Sequence, residues 1–317
     1  MKKMHPFLFL GMILFSFLCY KQFIFLLFKI MITKLVISGG GIDGLCALGL
    51  LQKLYENNIL KDIDTFIGTS AGACISFLLC IGYFPIDVYS VLYNINFSKL
   101  LELKDKDIDE IYDTIKSNLL EENTNKVQFG LYSQDNILLI LKKLAIAKNI
   151  KIDITFNELY EKTNKNLVIT GTCLNKNELI YFTHTNYPDM TVMKALQISS
   201  CIPFLFKPTT FNNFLWVDGA CVENYPVNYI KIEEANAFIG INLKKENTFI
   251  DSFNTSIEYI SRVINCFFLS QYKLKSEYLN NTIEISQNKY INWDLDNLQK
   301  KELYDIGYNK DISKFLV

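Results

Sequence analysis

Three short glycine-containing segments hold the residues of this chain best suited to chemistry, and they follow one another in a set order. The first, Gly39-Gly40-Gly41-Ile42-Asp43-Gly44, lies between an apolar run and a helix-forming one. Such a turn lets successive backbone N–H groups converge on an anion or on a developing oxyanion. The second, Gly68-Thr69-Ser70-Ala71-Gly72, is a GxSxG sequence at a strand-to-helix junction. Small flanking residues there permit a tight turn that holds a serine hydroxyl above the sheet, and the following helix N-terminus favours negative charge. The third is Val217-Asp218-Gly219-Ala220. An aspartate fixed at a strand end by a following glycine can accept a hydrogen bond from a serine hydroxyl and take its proton. Each segment alone is weak, since Asp-Gly is an ordinary turn and Gly and Ser are common in loops. The order and the flanking elements give them weight.

Two other chemistries fit less well. GxGxxG at 39, 41 and 44 matches a dinucleotide fingerprint, but that site needs an acidic residue at the end of the next strand to hold the ribose. Asp62 and Asp64 stand at the start of that strand, and its end carries Ser70 instead. A Ser-His-Asp triad needs a histidine, and the chain has only His5, within an apolar stretch, and His184. No histidine follows residue 184, so the order Ser, acid, His of an α/β-hydrolase is not available.

The elements that must position these segments follow from hydrophobic period. Lys34–Ser38 and Ile63–Ile67 are short apolar runs ending in glycine-rich turns, which predicts buried strands. Gly44–Asn58 and Ala71–Ile81 carry apolar residues at helical spacing. Strand, turn, helix, strand, turn, helix predicts a parallel α/β sheet with its loops at the carboxyl ends of the strands. Residues 87–151 read as mostly helical, with a polar stretch from Lys99 to Lys126. Leu167–Asn175 and Glu178–Thr183 read as a strand pair turning at Lys176-Asn177, and Met190–Ser200 as a helix. Trp216-Val217 and Ala237–Asn242 are further strands, and apolar residues of Ser252–Leu279 fall at helical spacing. With no repeat or Pro/Gly linker after residue 31, one domain is expected.

The 317 residues are 50% hydrophobic and 21% charged, which excludes a disordered or collagen-like chain. Lys+Arg 32 against Asp+Glu 33 leaves a net charge of -1, with no basic run, so a nucleic-acid partner is disfavoured. Arg262 is the sole arginine, which removes most bidentate phosphate clamps. The eight cysteines, at 19, 46, 74, 80, 173, 201, 221 and 266, form no CxxC pair. They suggest neither a zinc site nor a disulfide framework, and a reducing compartment is the simpler expectation. From Pro6 to Phe28 the chain is apolar apart from Ser16, Tyr20, Lys21 and Gln22, long enough to cross a bilayer as one helix. Phe17-Leu18-Cys19-Tyr20 offers no small-residue cleavage site. A retained single-pass anchor over residues 6–28 is favoured, with a reading frame that starts at Met31, in the cytoplasm, as the alternative.

Over Lys34 to Ile230 the three segments, together with Ser199-Ser200-Cys201-Ile202-Pro203-Phe204-Leu205-Phe206, resemble the patatin-like phospholipases. The resemblance implies a three-layer α/β/α fold with a mainly parallel central sheet, preceded here by the N-terminal hydrophobic helix. It implies a catalytic core over 34–231, with 232–317 as an α/β extension packed on it. It also implies hydrolysis of acyl esters of lipids, without metal or cofactor, at a membrane surface. Carried over by position, Ser70 is the nucleophile and Asp218 its base. Backbone N–H groups of Gly39, Gly40 and Gly41 form the oxyanion hole, while Gly44, Gly68, Gly72, Gly219 and Ala220 are motif positions that shape the turns. One position departs from the family pattern: residue 43, commonly Arg or Lys, is Asp. Its carboxylate is expected to face solvent, where its charge is screened. The departure also motivates an alternative, a catalytically weak or silent relative that binds lipid.

Overall fold

The computed structural model describes residues 31–100, 130–244, 262–263, 274–287 and 294–316. The apolar segment 1–30, most of the polar stretch and most of the Ser252–Leu279 tail lie outside these residues. Among the described residues no helix is long and apolar enough to cross a membrane.

β1 (Lys34–Ile37) leads through the glycine turn into α1 (Gly44–Glu56), and β2 (Thr65–Gly68) leads through Ser70 into α2 (Ala71–Cys80). Then come α3 (Pro85–Tyr93), α4 (Phe97–Leu100), β3 (Gly130–Tyr132), α5 (Asp135–Ala147) and α6 (Phe156–Thr163). β4 (Asn166–Cys173) and β5 (Glu178–Phe182) form the expected hairpin, with Asn177 taking the left-handed turn conformation at φ 52°. α7 (Val192–Ser199) is capped by Thr191, whose side chain accepts from the Lys194 N–H. β6 (Phe204–Phe206), β7 (Thr209–Phe211), β8 (Phe214–Asp218) and β9 (Phe238–Lys244) follow. The chain continues through α8 (Ser276–Leu279), β10 (Thr282–Ser286) and α9 (Asn297–Tyr308).

The main sheet runs β10-β9-β1-β2-β4-β8-β7, with β5 also on β4. From β10 to β4 every pairing is parallel, as a strand-helix-strand order requires. The far side is antiparallel, because β8 and β7 join as a hairpin that returns onto β4. β4 is therefore shared: Asn166–Ile169 pairs with β2 and Gly171–Cys173 with β8.

Alternate residues of the central strands face opposite layers. Leu35 and Ile37 pack into the larger core with α1, α2, α3 and α5, whereas Val36, Ile67 and Val168 pack with Tyr225, Ile230 and Tyr278 on the other face. Residues after 231 contribute to the sheet itself, since β9 pairs directly with β1. α9 lies against α1 at a crossing where Gly307 meets the Cys46 carbonyl and Gly49 meets that of Tyr304. Lys300 is buried in the same region and donates to the carbonyl oxygens of Tyr93, at 2.8 Å, and Ile95, at 2.5 Å. α9 thereby holds the exit of α3 as well as the outer face of α1.

Candidate active site

Register alone brings the serine and the aspartate together. Gly68, the last residue of β2, stands opposite Ile169, and two residues further along β4 Gly171 stands opposite Asp218. Ser70, two residues beyond Gly68, therefore emerges level with Asp218. The Ser70 hydroxyl lies beside the Asp218 carboxylate and favours its charged form. Both residues are buried, at 7% and 2% exposure, so the pair is shielded from bulk water.

Ser70 has φ 54° and ψ -123°, a strained conformation for a residue with a side chain. It is held from several sides. Its N–H donates to Ser199 Oγ at 2.9 Å, and the carbonyl of Ser70 accepts from Ala73 and Cys74 in the first turn of α2. Gly72 allows α2 to start directly beneath β1, since a Cβ there would sit 2.4 Å from the Ile37 carbonyl oxygen. Gly68 closes the same turn from the strand side. Neighbouring Thr69 bonds to Thr170 Oγ1 at 2.7 Å, tying the elbow to β4.

Asp218 ends β8, with its N–H on the Cys201 carbonyl at 2.9 Å and its own carbonyl accepting from Thr172. The short turn Gly219–Cys221 brings the Ala220 N–H to Asp218 Oδ1 at 2.9 Å. Burial pushes the Asp218 carboxyl up to about 7, against the nearby Ser70 hydroxyl and the bond from the Ala220 N–H, which favour the charged form. The titratable neighbours Cys74, Cys201 and Cys221 are neutral thiols, each pushed up to about 12 by burial and then by the Asp218 charge.

The glycine turn lies beside the serine, because β1 and β2 end in register and Thr69 N–H bonds to the Ile37 carbonyl. A Cβ on Gly39 would approach Ser70 Cβ to 3.1 Å. Gly39 itself is doubly tied to Asn224: its N–H donates to the Asn224 carbonyl at 3.0 Å and its carbonyl accepts from Asn224 Nδ2 at 3.2 Å. That leaves Gly40 and Gly41, at the start of the helical turn leading into α1, with N–H groups that such a helix start does not pair internally. Gly41 takes φ 56°, which turns the chain into α1, and Gly44 opens α1 against Ala71 and Ile75 of α2.

Asp43 does not face solvent, contrary to the expectation from sequence. It is buried at 4% exposure and accepts a hydrogen bond from Gln287 Nε2, just past β10. A partner brought in from the far end of the chain gives the carboxylate a polar contact without water. Removing it takes a charge-assisted hydrogen bond from the buried Gln287 amide, so Asp43→Ala is expected to cost about 1–3 kcal/mol. Thermal unfolding measures this, with Asp43→Asn recovering part of the loss; an unchanged melting temperature in Asp43→Ala would contradict the burial.

His184 lies away from the dyad. It bonds to Asn166 at the opposite end of β4 and stacks on Tyr160 at 3.9 Å, a structural role. Two site residues carried no signal of their role in the sequence. Asn224 lies beyond the aspartate segment and fixes the glycine turn, and Ser199 lies in the Ser-Ser segment and fixes the elbow.

An apolar cavity of about 150 Å³ opens beside Ser70 between α2, α3 and α5. On α2 it is lined by Ala71, Cys74, Ile75 and Leu78, one stripe of that helix.

The family model described as Patatin-like phospholipase matches residues 35–230, which span the glycine turn, the serine elbow and the aspartate segment. The chain belongs to the patatin-like phospholipase family. "Probable lipid hydrolase 463L" of Invertebrate iridescent virus 6 is 34% identical over 194 residues, 61% of this chain and 61% of that protein. The match thus spans less than two thirds of that relative. Protein R571 of Acanthamoeba polyphaga mimivirus is 27% identical over 289 residues, 87% of this chain and 91% of the relative. Among solved structures, VipD from Legionella pneumophila superposes with a TM-score of 0.54 at 19% identity, covering 89% of this chain and 66% of that one. That likeness is one of fold, and the patatin-like three-layer α/β architecture expected from sequence is the one observed.

Proposed function

We propose that this patatin-like protein is a lipid acyl hydrolase that cleaves carboxylic esters through a Ser70-Asp218 dyad. The observation that carries the reading is the buried Ser70, brought level with the buried Asp218 by strand register at the mouth of an apolar cavity. Ser70 Oγ attacks the ester carbonyl carbon and its proton passes to Asp218. The oxygen that becomes negative is met by the Gly40 and Gly41 N–H groups, where each donor is worth about 3 kcal/mol in the transition state. Gly39, whose N–H serves Asn224, shapes the turn. Asp218 returns the proton to the leaving alcohol as the acyl-enzyme forms; it then takes a proton from the water that attacks the acyl carbon and hands it to Ser70 Oγ as the acid leaves. The apolar walls suit a hydrocarbon tail, and a lipid surface is the natural source of one. The alternative, a catalytically weak or silent relative that binds lipid, rests on Asp43 in the glycine turn, whose carboxylate is buried and bonded to Gln287.

A serine-directed fluorophosphonate tests this directly. Stoichiometric labelling at Ser70 is expected in the folded protein and none in Ser70→Ala; a folded wild type that does not react at Ser70 defeats the proposal.

A further inference from the structure

The cavity beside Ser70 has a floor, and its depth limits what fits. α5 runs in the same direction as α2, from the site outward. At its start, Gln134 Nε2 donates to the Gln197 carbonyl at 2.9 Å and to Ser200 Oγ at 3.0 Å, next to the elbow. At its far end, the Leu144 carbonyl accepts from Tyr83 Oη at 3.0 Å, and Lys148 Nζ donates to the Gly82 carbonyl at 2.9 Å. Gly82 and Tyr83 belong to the turn that closes α2 and opens α3, so this turn bolts the lower ends of all three helices together. α3 then returns toward the site, from Val88 at the bottom to Ile95 near the top, and Asn136 Nδ2 bonds to the Leu100 carbonyl at 3.0 Å to close the upper wall. Leu78, Val88 and Leu144 therefore form the floor.

The α2 stripe from Ala71 to Leu78 measures the depth, about 11 Å at about 1.5 Å per residue. An extended chain advances about 3.6 Å per three bonds, so that depth takes about nine or ten carbons. The volume sets the other bound. An apolar cavity of about 150 Å³ holds about a six-carbon ring without adjustment.

Resting on the hydrolase reading above, we infer that the cavity is a closed well for one acyl chain of about six to ten carbons, with Leu78, Val88 and Leu144 as its floor. The substrate class is then a short-to-medium-chain acyl ester. A longer tail must bend out of the well or leave its end in water, and each exposed methylene forfeits about 0.8 kcal/mol of burial.

The test is the rate of hydrolysis of p-nitrophenyl esters from C4 to C16 by the full chain, each below its micelle concentration. kcat/KM is expected to rise up to between C6 and C10 and to gain nothing further by C16. Leu78→Phe should lower the C10-to-C4 ratio of kcat/KM about tenfold by raising the floor. Ile140→Phe, on the facing helix, should do the same, and it covers the case in which the first variant does not fold. A rate still climbing at C16, or an unchanged ratio in a folded variant, overturns the length limit and leaves the Ser70 chemistry standing. A folded wild type that hydrolyses none of the esters brings down the hydrolase reading and this inference with it.

Discussion

Ser70→Ala and Asp218→Asn are each expected to lower ester turnover by about 10⁴-fold or more, with the fold retained. In both, the nucleophile and the group that takes its proton no longer act as a unit, and what remains is binding plus the oxyanion donors. Assay on p-nitrophenyl octanoate and on dioctanoyl phosphatidylcholine reads the effect, with circular dichroism confirming the fold. The double variant should be scarcely slower than either single one, because the second loss removes nothing that still functions. Additive losses, or substantial turnover in Asp218→Asn, would mean that another group takes the serine proton.

Acidity should control the same reaction with a sign set by burial. Asp218 serves as a base only when ionised, and burial lifts its carboxyl from 3.8 to about 7. kcat/KM should therefore fall about tenfold per unit below that pH and level off above it. The same shift bears on stability. The folded state holds the proton more tightly than the unfolded chain, so this residue's contribution is most favourable below 3.8 and is lost as pH rises through about 7. At pH 8 the native protein carries a buried carboxylate at a cost on the order of a few kcal/mol. Asp218→Asn, inactive, should melt at a higher temperature than wild type at pH 8, with the gap narrowing toward pH 5. A rate flat from pH 5.5 to 8 would mean that the Asp218 carboxyl is ionised throughout that range, against the upward shift that burial imposes.

The placement of Ser70 in a tight elbow was legible in the sequence because backbone geometry dictates residue type there. Gly72 lies against the Ile37 carbonyl, and Ser70 stands in a conformation that a tight elbow requires, so the sequence there is constrained and short. The parallel half of the sheet was legible for a similar reason, since strand, turn and helix recur within a few dozen residues. What was not legible depended on distant partners. Asp43 looked like an exposed charge because nothing local announces Gln287. β10, five residues reading Thr-Ile-Glu-Ile-Ser, alternates in polarity, yet nothing in it specifies β9 as its neighbour. α9 buries Lys300 and Gly307, types that a hydropathy pattern assigns to the surface. The antiparallel return of β8 onto β4 also escaped a reading built on local order, although it is what delivers Asp218.

The sharing of β4 between β2 and β8 separates two things that evolution can then alter independently. The placement of Ser70 beside Asp218 is pinned by register, Gly68 opposite Ile169 and Gly171 opposite Asp218, and drift in either pairing would pull the two apart. The walls of the well come largely from α3 to α5, all inserted between β2 and β4 in a connection that sets no register in the main sheet. A lineage carrying this fold can lengthen, shorten or repack that insertion and so exchange one substrate for another, while the reaction is inherited unchanged.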